Sequence, residues 1–218
     1  MQYEILYQPE FSVVKIMLEA NEQIRAESGA MMSMTPNIDV QSKVPGGIGK
    51  MIGRMVAGES AFQTTFTAQG GAGEVILAPG FPGDIVAVDA SQPLMVTGGA
   101  YLAGDTNLQM ETISSLKGLV GGEGLFMLKI FGQGLLLLGS YGAIHAVQLA
   151  PGQSYIVDTG HLVAYTASMG FNVRKAAKGL MSTITSGEGL VAEMTGPGIV
   201  YTQTRTISAL AAAMPVRR

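Results

Sequence analysis

The chain has 218 residues, a formal net charge of −3, no cysteine, 13% charged residues and 47% apolar ones. This balance argues against a protein whose main partner is a nucleic-acid backbone, and the lack of thiols excludes disulfides and thiolate metal sites. So few charges could not clothe several small independent domains, so apolar faces are expected to close on one another or on further copies of the chain.

In chain order, the start Met1-Gln2-Tyr3-Glu4-Ile5 has neither a basic region nor a long apolar run; it does not read as a secretion signal, and a cytoplasmic protein is expected. Short strands are expected at residues 10–18, 23–26, 61–67, 73–77, 84–89, 125–130, 135–138, 143–149, 154–158, 161–167, 190–194 and 199–206. Between them lie turn signals such as Pro79-Gly80, Pro82-Gly83, Pro151-Gly152 and Pro197-Gly198, where proline presets one dihedral and glycine accepts a positive one. Helical spacing predicts short helices around Ile48, Met51, Ile52, Met55 and Val56, and around Val173, Ala176, Ala177, Leu180, Met181 and Ile184. Met110, Ile113, Leu116 and Leu119 follow the same period less well. The most apolar stretch, 135–150, is interrupted by Gly139, Ser140, Gly142 and His145. It falls short of the roughly 20 apolar residues that span a bilayer. Leu210 to Met214, followed by Pro215-Val216-Arg217-Arg218, could frame a short terminal helix packing on a neighbour or simply fray.

One phrase recurs three times: Gly58-Glu59-Ser60-Ala61-Phe62, Gly122-Glu123-Gly124-Leu125-Phe126 and Gly187-Glu188-Gly189-Leu190-Val191. The glutamates stand 64 and 65 residues apart (123 − 59 and 188 − 123). Ile24 to Met32 and Tyr155 to Val163 share a pattern of apolar, any, apolar, acid, hydroxyl, glycine, any, apolar, apolar, 131 residues apart. Val86 to Ser91 reads as the middle copy, with Asp89 as the acid and Ser91 in place of Gly29 and Gly160. Leu77-Ala78-Pro79-Gly80 and Leu149-Ala150-Pro151-Gly152 are identical openings. Near-constant spacing implies one structural unit written three times: an all-β protein of tandem antiparallel repeats over 1–76, 77–147 and 148–218, sharing one core.

The acids Glu27, Asp89 and Asp158 precede hydroxyl or small residues in turns, where a carboxylate receives turn amides and fixes the chain reversal. The other reading gathers them around a pseudo-threefold axis as a metal or substrate site. Glu59, Glu123 and Glu188 read as turn caps or salt-bridge partners, since symmetry multiplies a structural feature as readily as a catalytic one. His145 and His161 lack the spacing of a zinc site. Gly46-Gly47-Ile48-Gly49-Lys50 lacks the four-residue gap and Gly-Lys-Ser/Thr ending of a phosphate-binding loop. The clusters Met31, Met32, Met34 and Met51, Met55 suit irregular cores and adaptable interfaces better than a copper(I) site. Lys50 with Arg54, and Arg174 with Lys175 and Lys178, could lie on an anionic membrane surface or simply face solvent.

Taken in order, the motifs around Arg25-Ala26-Glu27-Ser28-Gly29, the three Gly-Glu phrases, Val157-Asp158-Thr159-Gly160-His161 and the closing Gly196-Pro197-Gly198-x-Val200-x-x-Gln203-Thr204-Arg205 resemble the bacterial branch of the mitochondrial-biogenesis AIM-twenty-four family. The resemblance covers nearly the whole chain. It implies three small double-stranded β-helix units per chain, similar to subunits of the tryptophan RNA-binding attenuation protein, assembled as trimers. A fungal mitochondrial relative is linked to inner-membrane organisation. The resemblance supplies no reaction and no catalytic residues.

The expectation is therefore a non-enzymatic, self-associating scaffold, with no cofactor and no metal, and with a membrane surface as one fitting partner. The alternative is a ring that binds a small ligand or RNA, against which the acidic net charge counts where RNA is concerned.

Overall fold

Along β2 (Val13–Leu18), Val14, Ile16 and Leu18 are buried while Lys15 and Met17 between them are only partly covered. This two-residue alternation is what a sheet with one face on a core requires. A computed structural model of the chain describes residues 1–43, 63–113, 127–176 and 190–214.

After β1 (Gln2–Leu6), the described strands fall into three sets of six. The first is β2, β3 (Gln23–Glu27), β4 (Met31–Met34), β5 (Ile38–Lys43), β6 (Gln63–Ala68) and β7 (Gly73–Leu77). The second is β8 (Ile85–Asp89), β9 (Leu94–Thr97), β10 (Tyr101–Asp105), β11 (Gln109–Ile113), β12 (Met127–Phe131) and β13 (Leu135–Gly139). The third is β14 (Ile144–Leu149), β15 (Ser154–Asp158), β16 (Leu162–Thr166), β17 (Gly170–Lys175), β18 (Leu190–Thr195) and β19 (Gly198–Gln203). A 3-10 turn at Thr159–His161 and the helix α1 (Ile207–Ala213), whose Thr206 hydroxyl accepts from Ala209 N, complete the described elements.

Pairing follows one rule in every set, and all of it is antiparallel. The sixth strand lies between the first and the third: β2-β7-β4, β8-β13-β10 and β14-β19-β16. The fifth lies between the second and the fourth: β3-β6-β5, β9-β12-β11 and β15-β18-β17. The register shifts at the same place in each third strand, between Met31 and Ser33, Tyr101 and Ala103, and Leu162 and Ala164. Neighbouring sets join through β3 on β10 and β9 on β16, which turns pairs of three-stranded sheets into two six-stranded ones.

The cores interlock through these joints. Leu137 of β13 packs in the core of the first set, while Leu136 and Leu138 pack in that of the second. On β16, Val163 and Ala164 belong to the second core, and Leu162 and Tyr165 to the third. A strand covered on both faces has no use for polar residues, which accounts for the unbroken run Leu135 to Leu138. Part of the low charge content is explained here, inside one chain.

Asp84 pins the three sets together at one end. Its Oδ1 accepts from Gln8 Nε2 at 2.9 Å, Ser12 Oγ at 3.3 Å and its neighbour Ile85 N at 2.8 Å, and Oδ2 accepts from Ile144 N at 3.4 Å. Gly83 and Gly142 meet there in a parallel bridge. A Cβ on Gly83 would collide with the Ser140 carbonyl oxygen, so the approach requires glycine.

Several expectations are corrected. Val173, Arg174 and Lys175 lie on β17, and Met110 and Ile113 on β11, so the helices expected there do not begin there. In β17, Phe171 and Val173 pack on the third core at strand spacing, and β18 supplies the hydrogen-bond ladder. That tertiary pairing overrides a helical pattern. The helix expected at 48–56 and the segment Gly46 to Lys50 lie outside the described residues. The divisions at 76/77 and 147/148 fall within β7 and β14, whereas the strand sets run over 13–77, 85–139 and 144–203. No helix among the described residues is long and apolar enough to cross a membrane.

Replacing Asp84 with alanine should lower unfolding stability by about 3 kcal/mol, because several acceptor bonds are lost together and buried donors are left unpaired. Asp84→Asn should cost less. Urea denaturation of the two variants beside the parent chain measures both effects.

Candidate functional site

The turn from second to third strand is where the acid-hydroxyl-glycine motifs fall. Glu27 closes β3 and Asp158 closes β15, corresponding places in the first and third sets. Asp89 closes β8, a first strand, so its alignment with the other two acids is incorrect. The residue at the corresponding place in the middle set is Thr97, at the end of β9. The string Val96-Thr97-Gly98-Gly99-Ala100 carries the signal, matching Ala26-Glu27-Ser28-Gly29-Ala30 once a hydroxyl is allowed where the acid stands.

Backbone geometry supports this pairing. Ala30 N donates to Glu27 O at 3.2 Å and Ala100 N to Thr97 O at 3.1 Å, with Gly29 at φ 87° and Gly99 at φ 83° in the third turn position. A positive dihedral at that position favours glycine. Gly160 plays a different part: it lies in the 3-10 turn, and its N–H donates to Asp158 Oδ1 at 2.8 Å.

The carboxylates also differ in their partners. Asp158 caps its own turn, and Asp89 does likewise, accepting from Ser91 N at 2.9 Å. Among the described residues no donor reaches the Glu27 carboxylate, and burial pushes its carboxyl up to about 7. Aspartate is short enough to fold back on the amide two residues ahead. Glutamate is one methylene longer and enters a pocket instead.

That pocket, of about 230 Å³, is lined by parts of all three sets: Glu27, Phe81, Thr97, Tyr141 and Gln203 among them. The Phe81 and Tyr141 rings lie 5.6 Å apart at 42°. Gln203 is fixed at both ends of its amide, accepting from Tyr141 N at 2.9 Å and donating to Gly160 O at 3.0 Å. The Gln203 carbonyl oxygen also lies 2.6 Å from His161 Nδ1, so this histidine is tied to the backbone. His145 lies on the outer strand β14. Chemically, the arrangement offers a desolvated acid that changes charge near neutrality, beside two aromatic rings and a fixed amide. Such a site can accept a hydrogen bond from a small donor. No group of three His, Asp or Glu side chains able to hold a metal ion occurs among the described residues.

Glu59, Glu123 and Glu188 lie outside the described residues, between the fourth and fifth strands of the successive sets. Asp84 and Thr97 were not singled out by sequence reasoning. Asp84 carries no motif of its own; only its place just after Pro82-Gly83 hints at it.

The Glu27 carboxyl titrates near 7 in the folded chain and near 4.5 when unfolded. Below pH 4.5 both states hold the proton. Between the two values only the folded state does, so stability falls as pH rises, and the loss is complete above pH 7. The size is at most about 3 kcal/mol. Glu27→Gln should remove this part of the slope and be more stable than the parent chain at pH 8, as read from urea midpoints at pH 5 and pH 8.

Comparison with known proteins agrees with the resemblance read from the motifs. The description of the matching family is "Mitochondrial biogenesis AIM24", and the match covers residues 3–205. An uncharacterized protein of Streptococcus pyogenes serotype M6 is 32% identical over 225 residues, covering 98% of this chain and 90% of that protein. The crystal structure of protein SPYM3_0169 from Streptococcus pyogenes superposes with a TM-score of 0.80 at 31% identity, covering 97% of this chain and 96% of the other. With the family match running through almost every strand, the chain belongs to the mitochondrial biogenesis AIM24 family.

Proposed function

We propose that the chain is a self-associating scaffold of three double-stranded β-helix modules, acting by binding rather than by catalysis. The recurring order of pairing, with the sixth strand between first and third and the fifth between second and fourth, supports the module reading. The observation that carries self-association is the state of two sheet edges. Strand β4 presents Met31, Met32 and Met34 to solvent, and β15 presents Tyr155 and Ile156. Apolar side chains on an unpaired edge mark a surface built to be covered. The family resemblance favours three chains. A membrane-peripheral role rests on the mitochondrial relative alone, because Arg174 and Lys175 lie on a strand where neighbouring side chains point to opposite faces.

A second reading, small-ligand binding, is favoured by the pocket beside Glu27. A small amine that fits it should raise the melting temperature of the parent chain more than that of Glu27→Gln.

Light scattering on the purified chain tests the scaffold reading. A mass of several chains, persisting on dilution, is expected; the mass of one chain at every concentration would overturn it. Sedimentation with anionic liposomes at low salt tests the membrane role separately, and protein left in the supernatant removes that role.

A further inference from the structure

Two kinds of edge strand bound the sheets. Fourth strands, β5, β11 and β17, end a sheet in every set, as do β8 and β14 among first strands. Those are boundaries of the repeated unit itself. Strands β4 and β15 are edges for another reason. Wherever the chain continues, a second strand pairs with the third strand of the next set, as β3 does with β10 and β9 with β16. Among the described strands, β4 is a third strand and β15 a second strand to which no strand of another set is paired.

The open positions Ser33, Met34 and Tyr155 correspond to positions that are buried at the internal joints. The shared register shift aligns Ser33 with Ala103 and Ala164, and Met34 with Gly104 and Tyr165. Likewise Tyr155 corresponds to Ile24 and Leu94, Ile156 to Arg25 and Met95, and Val157 to Ala26 and Val96. Ala103 and Ala164 are fully buried while Ser33 is exposed. Tyr165 is 4% exposed against 40% for Met34, and Ile24 is 0% exposed against 38% for Tyr155. The edges also lack what keeps an open strand from pairing. Strand β4 has no charged residue, and the only one on β15, Asp158, is engaged with its own turn.

We infer that β15 of one copy adds antiparallel to β4 of a second copy, in the register Val157↔Ser33, Ile156↔Met34 and Tyr155↔Thr35. The register is that of the internal joints, Ala26↔Ala103 with Arg25↔Gly104 and Val96↔Ala164 with Met95↔Tyr165. The contact is head-to-tail, so each chain offers one donor edge and one acceptor edge, and the assembly ends only when a ring closes. This inference rests on the self-association reading and adds to it the surface, the orientation and the register.

The natural absence of cysteine makes the test direct. Met34→Cys and Ile156→Cys are both at exposed positions, so neither substitution should disturb a core. Directly opposed residues of an antiparallel pair lie within disulfide reach. Under oxidation the double variant should form a ladder of multi-chain products, about tenfold above either single variant or a Met32→Cys/Ile156→Cys pair out of register. Absence of the ladder, linkage within a single chain, or equal linkage by one single variant alone would each overturn the inference. If the unmodified protein has the mass of several chains and the ladder is absent, this interface is wrong while self-association stands. A single-chain mass removes both.

Discussion

A sheet that serves two cores at once is the constraint from which the rest of this structure follows. A set of six short strands would leave much of its surface exposed if it folded alone, and a unit of that size is marginal. Here the strands β8, β10 and β13 form the outer layer of one core and the inner layer of the next, with Leu137 facing one way and Leu136 and Leu138 the other. Removing a set would expose not only its own interior but also one face of its neighbour's sheet. The joints β3–β10 and β9–β16 are thus more than hydrogen-bonded seams; they hold the sheets at the spacing that lets both cores fill.

This arrangement explains which features could be read from the sequence. Strands bounded by glycine, proline and Asp/Asn clusters stand out, and β2, β7 and β15 were placed to within a few residues from that punctuation. Strands that β-propensity serves poorly were missed. Strand β10, Tyr101-Leu102-Ala103-Gly104-Asp105, contains alanine and glycine, and a Cβ on Gly104 would crowd the Leu108 side chain and the Leu135 carbonyl. Strand β4 is methionine-rich and exposed, and gives no period at all. In β17, Val173 stands at strand spacing although it opens a helical pattern, and only pairing with β18 decides the matter; Ala177, Leu180, Met181 and Ile184 lie outside the described residues.

The site shows the same division. That acid-hydroxyl-glycine turns recur was legible; which residues occupy them in the middle set was not. Asp89 satisfied the template by residue type, but it closes a first strand, and Thr97 holds the corresponding place without a charge. The three turns consequently do not form a ring of carboxylates. Asp158 is consumed by its own turn, Thr97 lines the pocket with its hydroxyl donated to the Leu162 and Val163 carbonyls, and Glu27 brings the one carboxylate of the three turns to it. Desolvation without a compensating donor is what separates Glu27 from its counterparts, and a single residue type at one position accounts for it. No count of acids along the sequence could show which carboxylate would be left without a partner.

Carrying three strand sets in one chain has a consequence for assembly. Linking sets in one chain makes the β3–β10 and β9–β16 joints intramolecular, so they form at a high effective concentration whatever the protein level. A joint between β15 and β4 of separate copies would enjoy no such advantage and would depend on how many copies are present. The internal joints set small residues together, Ala26 opposite Ala103 and Val96 opposite Ala164, beside the larger pair Met95 opposite Tyr165. The open edges carry residues of the same range, Ser33 and Met34 on one side and Tyr155 and Ile156 on the other. A contact between separate chains must overcome lost translational freedom as well as side-chain ordering. Methionine is well suited to such a seam because its unbranched thioether adapts to the partner surface without demanding one rotamer. The exposed methionines of β4 and the exposed Tyr155 and Ile156 of β15 are the two surfaces that such a contact would bring together.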